Sequence, residues 1–156
     1  MQSSIADALT SVLMARAAGE LSGPEMVEWA VDALSAGFDS PSLRVLAGLM
    51  PSEALARDAE PILREAAREL GFQALDLEGM RRAYVPIVCR ALLRGELSPG
   101  EAAERIHRRV VSPLGHPADL MSWCYLWEGL GPDGEYLGEA SNTQHIMAEA
   151  RRWADA

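Results

Sequence analysis

The sequence predicts an all-α protein: an irregular bundle of about seven short amphipathic helices in a single helical domain spanning residues 1–156. Three observations carry that expectation. Apolar residues recur at helical spacing nearly throughout, Gly stops and Ser or Asp caps punctuate the pattern at short intervals, and no segment alternates apolar and polar residues long enough to make a strand.

The elements follow in order. Ile5, Leu9, Val12 and Leu13 line one face of a first helix, which Gly19 stops. Ser22-Gly23-Pro24-Glu25 is a capping box, in which the serine accepts from the Glu25 amide and the glutamate reaches back. It opens a helix with Met26, Ala30, Ala33 and Leu34 inward and Glu25, Glu28, Asp32 and Ser35 outward, closed at Gly37. Ser40 at the cap with Pro41 behind it starts a short helix whose stripe is Leu43, Leu46, Ala47 and Met50. A fourth helix is expected from about Asp58, with Ile62, Leu63, Ala66 and Leu70 inward and a stop at Gly71. Asp76 caps the next, and Pro86 within its stripe predicts a kink. A turn at Gly95-Glu96-Leu97-Ser98 precedes the sixth. The stretch from Pro117 to about Leu130, with Leu120, Met121, Trp123, Cys124, Tyr125, Leu126 and Trp127, is apolar nearly all round and reads as a central helix or one with a side offered to a partner. A last helix is expected from about Asn142.

Residues 19–28 and 95–104 share six of ten residues at an offset of 76. Two similar helical hairpins would produce this echo, and so would two turns that solved one capping problem with the same residues; with only two copies, a solenoid is not supported.

The chain has 156 residues, 49% of them apolar and 24% charged, the composition of an ordinary globular protein. No apolar run approaches the length of a membrane span. Met-Gln-Ser-Ser-Ile-Ala-Asp lacks the basic region of a secretory leader, and Cys89 and Cys124 lie in apolar helical patterns, so a cytoplasmic protein with reduced core thiols is expected. Net charge is −9. Residues 1–60 hold nine acids and three arginines, 61–115 seven acids and nine arginines, and 116–156 seven acids and two arginines. Such a field repels phosphate backbones and argues against nucleic acid as a partner, while favouring encounter with a basic protein. There is no lysine; all fourteen basic residues are arginine. That excludes a Schiff-base lysine and the phosphate-binding lysines of P-loop proteins and protein kinases.

No catalytic constellation stands out. The histidines are His107, His116 and His145, and none lies at i+3 or i+4 from another His or a Cys, so no metal site and no cofactor is expected. Glu104 with His107, and His145 with Glu149, are spaced as surface helix neighbours. Cys124, His116 and Asp119 lie close in sequence, but a mid-helix thiol on an apolar face is poorly placed for activation. Seven arginines between Arg81 and Arg109, interleaved with Glu96, Glu101 and Glu104, read as a salt-bridged face.

The segment Trp29-Ala30 through Leu34, Gly37 and Asp39-Ser40-Pro41-Ser42-Leu43-Arg44, followed by Leu46-Ala47-Gly48-Leu49, resembles small all-helical bacterial proteins that are uncharacterised; so do Glu69-Leu70-Gly71 and Gly95-Glu96-Leu97-Ser98-Pro99. The resemblance, over residues 29–49 and 69–99, implies a helical fold and a bacterial source and brings no activity.

The function expected from these features is a non-catalytic acidic helical module that binds another protein. By analogy of type with small acidic bacterial proteins, an immunity- or antitoxin-like role toward a basic partner fits. The candidate interaction residues are Glu25, Glu28, Asp32, Arg44, Trp123 and Trp127. The alternatives are a small enzyme with a His/Glu pocket and a homo-oligomeric structural protein built on an exposed Trp123–Trp127 patch.

Overall fold

The computed structural model describes residues 5–72 and 75–156. They form eight α-helices and no strand: α1 (Ile5–Ala17), α2 (Gly23–Ser35), α3 (Pro41–Ala47), α4 (Ala56–Glu69), α5 (Leu77–Leu93), α6 (Pro99–Ile106), α7 (Met121–Trp127) and α8 (Glu139–Ala154). The all-α expectation holds. The one β-type pairing among the described residues is an isolated bridge between Leu130 and Tyr136. No helix among them is long and apolar enough to cross a membrane. Residues 1–4, part of the N-terminal stretch weighed above as a leader, lie outside the described residues.

The chain divides into two compact units, Met1–Met80 and Arg81–Ala156, with the division falling inside α5. In the first, α2, α3 and α4 pack on one another and α1 rests against α4. Leu9, Met14, Met26, Leu43, Leu46 and Leu63 are fully buried there. Two polar ties brace this packing. Arg16 Nε donates to Glu60 at 3.0 Å, and the Ser42 amide and hydroxyl both donate to Glu69 at 2.9 Å. In the second unit α7 packs against both α6 and α8. Arg90 of α5 donates to the Ala154 carbonyl at the end of α8 (2.8 Å), where a cation also complements the helix dipole. Val85, Ile106, Val110, Leu120, Trp123 and Ile146 fill this core.

The echoed turns are built alike. Gly19 and Gly95, at φ +74° and +76°, end α1 and α5 with the same pair of backbone bonds. In each the glycine amide donates three residues back and the next amide five residues back. Both downstream helices carry complete capping boxes, Ser22 with Glu25 and Ser98 with Glu101. The copies differ in that Gly-Pro follows Ser22 and Pro-Gly follows Ser98, and in that Met26-Val27 stand where the second copy has Ala102-Ala103. A Cβ at Gly23 would lie 2.0 Å from the Ala54 carbonyl oxygen, while one at Gly100 meets nothing within 4 Å. Gly23→Ala is therefore expected to cost at least about 1–3 kcal/mol through forced backbone displacement. Gly100→Ala should be neutral or stabilise by up to about 1 kcal/mol through helix propensity. Urea denaturation of the two variants side by side checks this.

Three boundaries depart from the sequence expectation. Helix α4 begins at Ala56, and Asp58 lies in its first turn, where a carboxylate suits the dipole without capping. Helix α8 begins at Glu139, because Asn142 does not cap; its Nδ2 donates to the Leu126 carbonyl at 3.2 Å. The helix expected over 117–130 is a 3₁₀ turn, Ala118–Leu120, followed by the seven residues of α7. Asp76 does cap as expected, accepting from the Gly79 amide at 2.7 Å, and Pro86 lies within the continuous span of α5.

Candidate metal centre

The local chain path after α6 assembles the most distinctive group of side chains. Helix α6 runs on into a single π-helical turn, His107–Val111, in which the Ser112 amide reaches the His107 carbonyl at 2.9 Å. Such wide turns are rare and concentrate at functional sites. Gly115 (φ +74°) then reverses the chain, with its amide on the Ser112 carbonyl. His116 follows at φ +60°, the one non-glycine among the described residues in the left-handed region, and its amide donates to the Val111 carbonyl. A left-handed backbone at such a residue is a local cost that the surrounding bonds must hold in place. Pro117 leads into the 3₁₀ turn and α7, which places Cys124 one turn into that helix.

The result brings together three ligand atoms, one each from His107, His116 and Cys124, all within 4.8 Å of one another. The His107 and His116 ring centroids are 6.0 Å apart, and the Trp127 ring meets His107 edge-on at 5.3 Å. The Nδ1 of His107 is buried without a hydrogen-bond partner among the described residues. A buried ring nitrogen left so is costly unless something binds it. Cys124 is buried and His116 is exposed, so the cluster is closed on one side and open to solvent on the other.

The electrostatics disfavour a charge on His107. Burial pushes the His107 pKa down, and neighbouring His116 and Arg108 push the same way against Glu128. Burial and the Glu128 charge push the Cys124 thiol up. Glu128 lies one helical turn beyond Cys124, exposed at the end of α7, and its charge is felt by both groups. A thiol raised in this way is no nucleophile, and Asp119 is committed to Arg82 at 2.7 Å. The arrangement has the donor atoms of a ligand set, and Asp119 is engaged away from a Cys-His-Asp triad.

The other sequence candidates have local duties or stand apart. Glu25 takes the Ser22 amide at 2.7 Å, and that bond holds its carboxyl below the usual range. Glu28 and Asp32 are exposed on α2. Arg44 forms a forked pair with Asp39. Trp123 is completely buried, and Trp127, 40% exposed, borders the His-Cys cluster. Glu104 pairs with Arg108 at 3.2 Å, and the His145 ring contacts the Ser141 carbonyl, so neither Glu-His pair points to a metal. The arginine-rich segment is largely spent on partners, including Asp119 for Arg82, Glu96 for Arg94 and Tyr84 for Arg109. Cys89, buried and near the Glu149 charge, is pushed up to about 12.

The absence of metal ligands expected from sequence rested on spacings within one helix. His107, His116 and Cys124 come from a π turn, a reversal and a separate helix, nine and eight residues apart, so no helical period relates them. The signal that was available is density: two of three histidines and one of two cysteines fall within residues 107–124, on either side of a Ser-Pro-Leu-Gly turn.

Comparison of the chain with protein-family models, characterised proteins and solved structures finds no match.

Proposed function

We propose that this is a metal-binding helical protein whose C-terminal unit holds one zinc ion through His107, His116 and Cys124. The single observation that carries the reading is the convergence of these three ligand atoms, with the His107 Nδ1 buried and unpaired. Two imidazoles and a thiolate suit a borderline-soft ion, and zinc accepts three protein ligands with a fourth position left to water or a further group. Tetrahedral zinc, with bonds of about 2.0–2.3 Å, sets its ligand atoms about 3.3–3.8 Å apart. The widest separation here exceeds that by at most about 1.5 Å, within reach of side-chain rotation. Glu128, whose charge reaches both His107 and Cys124, is the candidate for the fourth position.

Titration with cobalt(II) as a spectroscopic stand-in for zinc tests this. One ion per chain is expected, with tetrahedral visible bands and a thiolate charge-transfer band, both displaced by zinc. A chain that shows neither band and fails to compete with a zinc indicator would remove the reading, and preference for copper(I) over zinc would reassign the ion.

A pH dependence follows from the thiol. Zinc takes the thiolate, so below the raised pKa of Cys124 each ion bound releases one proton. Burial lowers the His107 pKa and so reduces the proton release from that ring. Zinc affinity should therefore rise at least about tenfold per pH unit between about pH 6 and 8, and indicator competition at three pH values measures the slope.

A second reading, the acidic module toward a basic protein, is supported by α2. Glu28 and Asp32 lie one turn apart, exposed, with no ion pair among the described residues and no arginine on that helix. Charge reversal at both positions should abolish salt-sensitive capture of a basic partner; capture indifferent to salt and to the reversal would eliminate it.

A further inference from the structure

A second site lies on α7 and α8 of the same unit, independent of the His-Cys cluster. We propose that it binds a small organic cation, a primary amine carried on an aromatic or aliphatic body. Met121 and Tyr125 of α7, Leu130 and Pro132 of the following loop, and His145 and Glu149 of α8 line a cavity of about 530 Å³. That volume is in the range of small-molecule pockets, and a mostly apolar wall with a few converging polar groups is how such pockets are built.

The polar groups decide the ligand's chemistry. The Glu149 side chain is only 13% exposed. Its Oε1 accepts from Ser122 Oγ at 2.7 Å and Trp153 Nε1 at 2.9 Å. Among the described residues its Oε2 meets only Arg152 Nη1 at 3.5 Å, the limit of a hydrogen bond, from a side chain 70% exposed. That oxygen keeps acceptor capacity in an apolar setting, where a charge-assisted bond is worth most. His145 adds a second acceptor. Its Nδ1 lies 2.8 Å from the Ser141 carbonyl, which only accepts, so Nδ1 carries the hydrogen, and in the neutral form of the ring Nε2 keeps its lone pair. Two acceptors one helical turn apart on α8, in a cavity otherwise lined mostly by apolar side chains, match an ammonium group on a hydrophobic body. Arg152 also lines the cavity, but it is 70% exposed and already sits against Glu149, so a carboxylate would still face the buried Glu149 across the same space, and the chain's charge of −9 favours cations on approach.

Phenethylamine, 2-phenylethanol and 3-phenylpropionate share one body and differ in the head group, so they separate the charge requirement from mere apolar filling. Binding would be followed by calorimetry and by the methyl signal of Met121 in the intact chain. Phenethylamine should bind at least about tenfold more tightly than phenylethanol and shift Met121, and phenylpropionate should not bind. Glu149→Gln retains an acceptor for Ser122 and Trp153, and should bring the amine down to the level of the alcohol. Equal binding of the three on the unaltered chain, no binding of the amine, or an amine that leaves Met121 unmoved would each overturn the proposal, whether or not the variant folds.

Discussion

Replacing Cys124 by serine is expected to lower zinc affinity by a hundredfold or more. Loss of a group that merely orients a ligand costs on the order of 10–100-fold, and here a bond to the ion itself is lost. The hydroxyl is a harder donor that does not ionise near neutrality, so the ion keeps two imidazoles and no anionic sulfur. Serine occupies nearly the same volume, and the fold without metal should change little. His116→Asn is the matched test on the opposite ligand. At φ +60° most residues would be strained, but asparagine enters the left-handed region readily, so the turn survives while the imidazole goes. In thermal unfolding, zinc at a hundred times its Kd should stabilise the unaltered protein by about 2.7 kcal/mol, and both variants should lose most of that increment. If the two variants bind zinc as tightly as the parent, the ion is held elsewhere and the His-Cys cluster is only packing.

The helices were legible because their ends are written in local chemistry. Ser22 with Glu25, Ser98 with Glu101, Ser40 with Pro41, and Asp76 each satisfy amides within four residues, so the sequence alone locates them. The start of α8 was not legible, since Asn142 looks like a cap but its amide is used on the Leu126 carbonyl, a contact set by tertiary packing. The candidate site was hidden for the same reason in stronger form. The π turn and the left-handed His116 have no periodic signature, and they alone bring His107 and His116 to Cys124. Trp123 and Trp127, one turn apart and equivalent on a helical wheel, end with opposite fates. Helix α7 is only seven residues long, so its first turns are enclosed and its last opens to solvent beside His107.

Trp123→Ala is expected to destabilise the protein by about 3–5 kcal/mol, the range for emptying a large buried aromatic site. Trp123 is 0% exposed and is the largest fully buried side chain, on the helix that packs against both α6 and α8. Its Nε1 is buried with no hydrogen-bond partner among the described residues. That detail separates two contributions that alanine removes together. Trp123→Phe deletes the unpaired N–H, a relief of about 1–3 kcal/mol, while leaving a smaller void than alanine does. The two effects oppose, so phenylalanine should cost far less than alanine, within about 1 kcal/mol of the parent in urea denaturation. The outcome also bears on the metal site, because Trp123 precedes Cys124 on the same short helix. A Phe variant that keeps stability and zinc affinity would show that the indole supplies only volume. One that keeps stability but loses zinc would show that its shape sets the position of the Cys124 sulfur, and equal losses of stability for Phe and Ala would show that the Nε1 hydrogen is paired in solution after all.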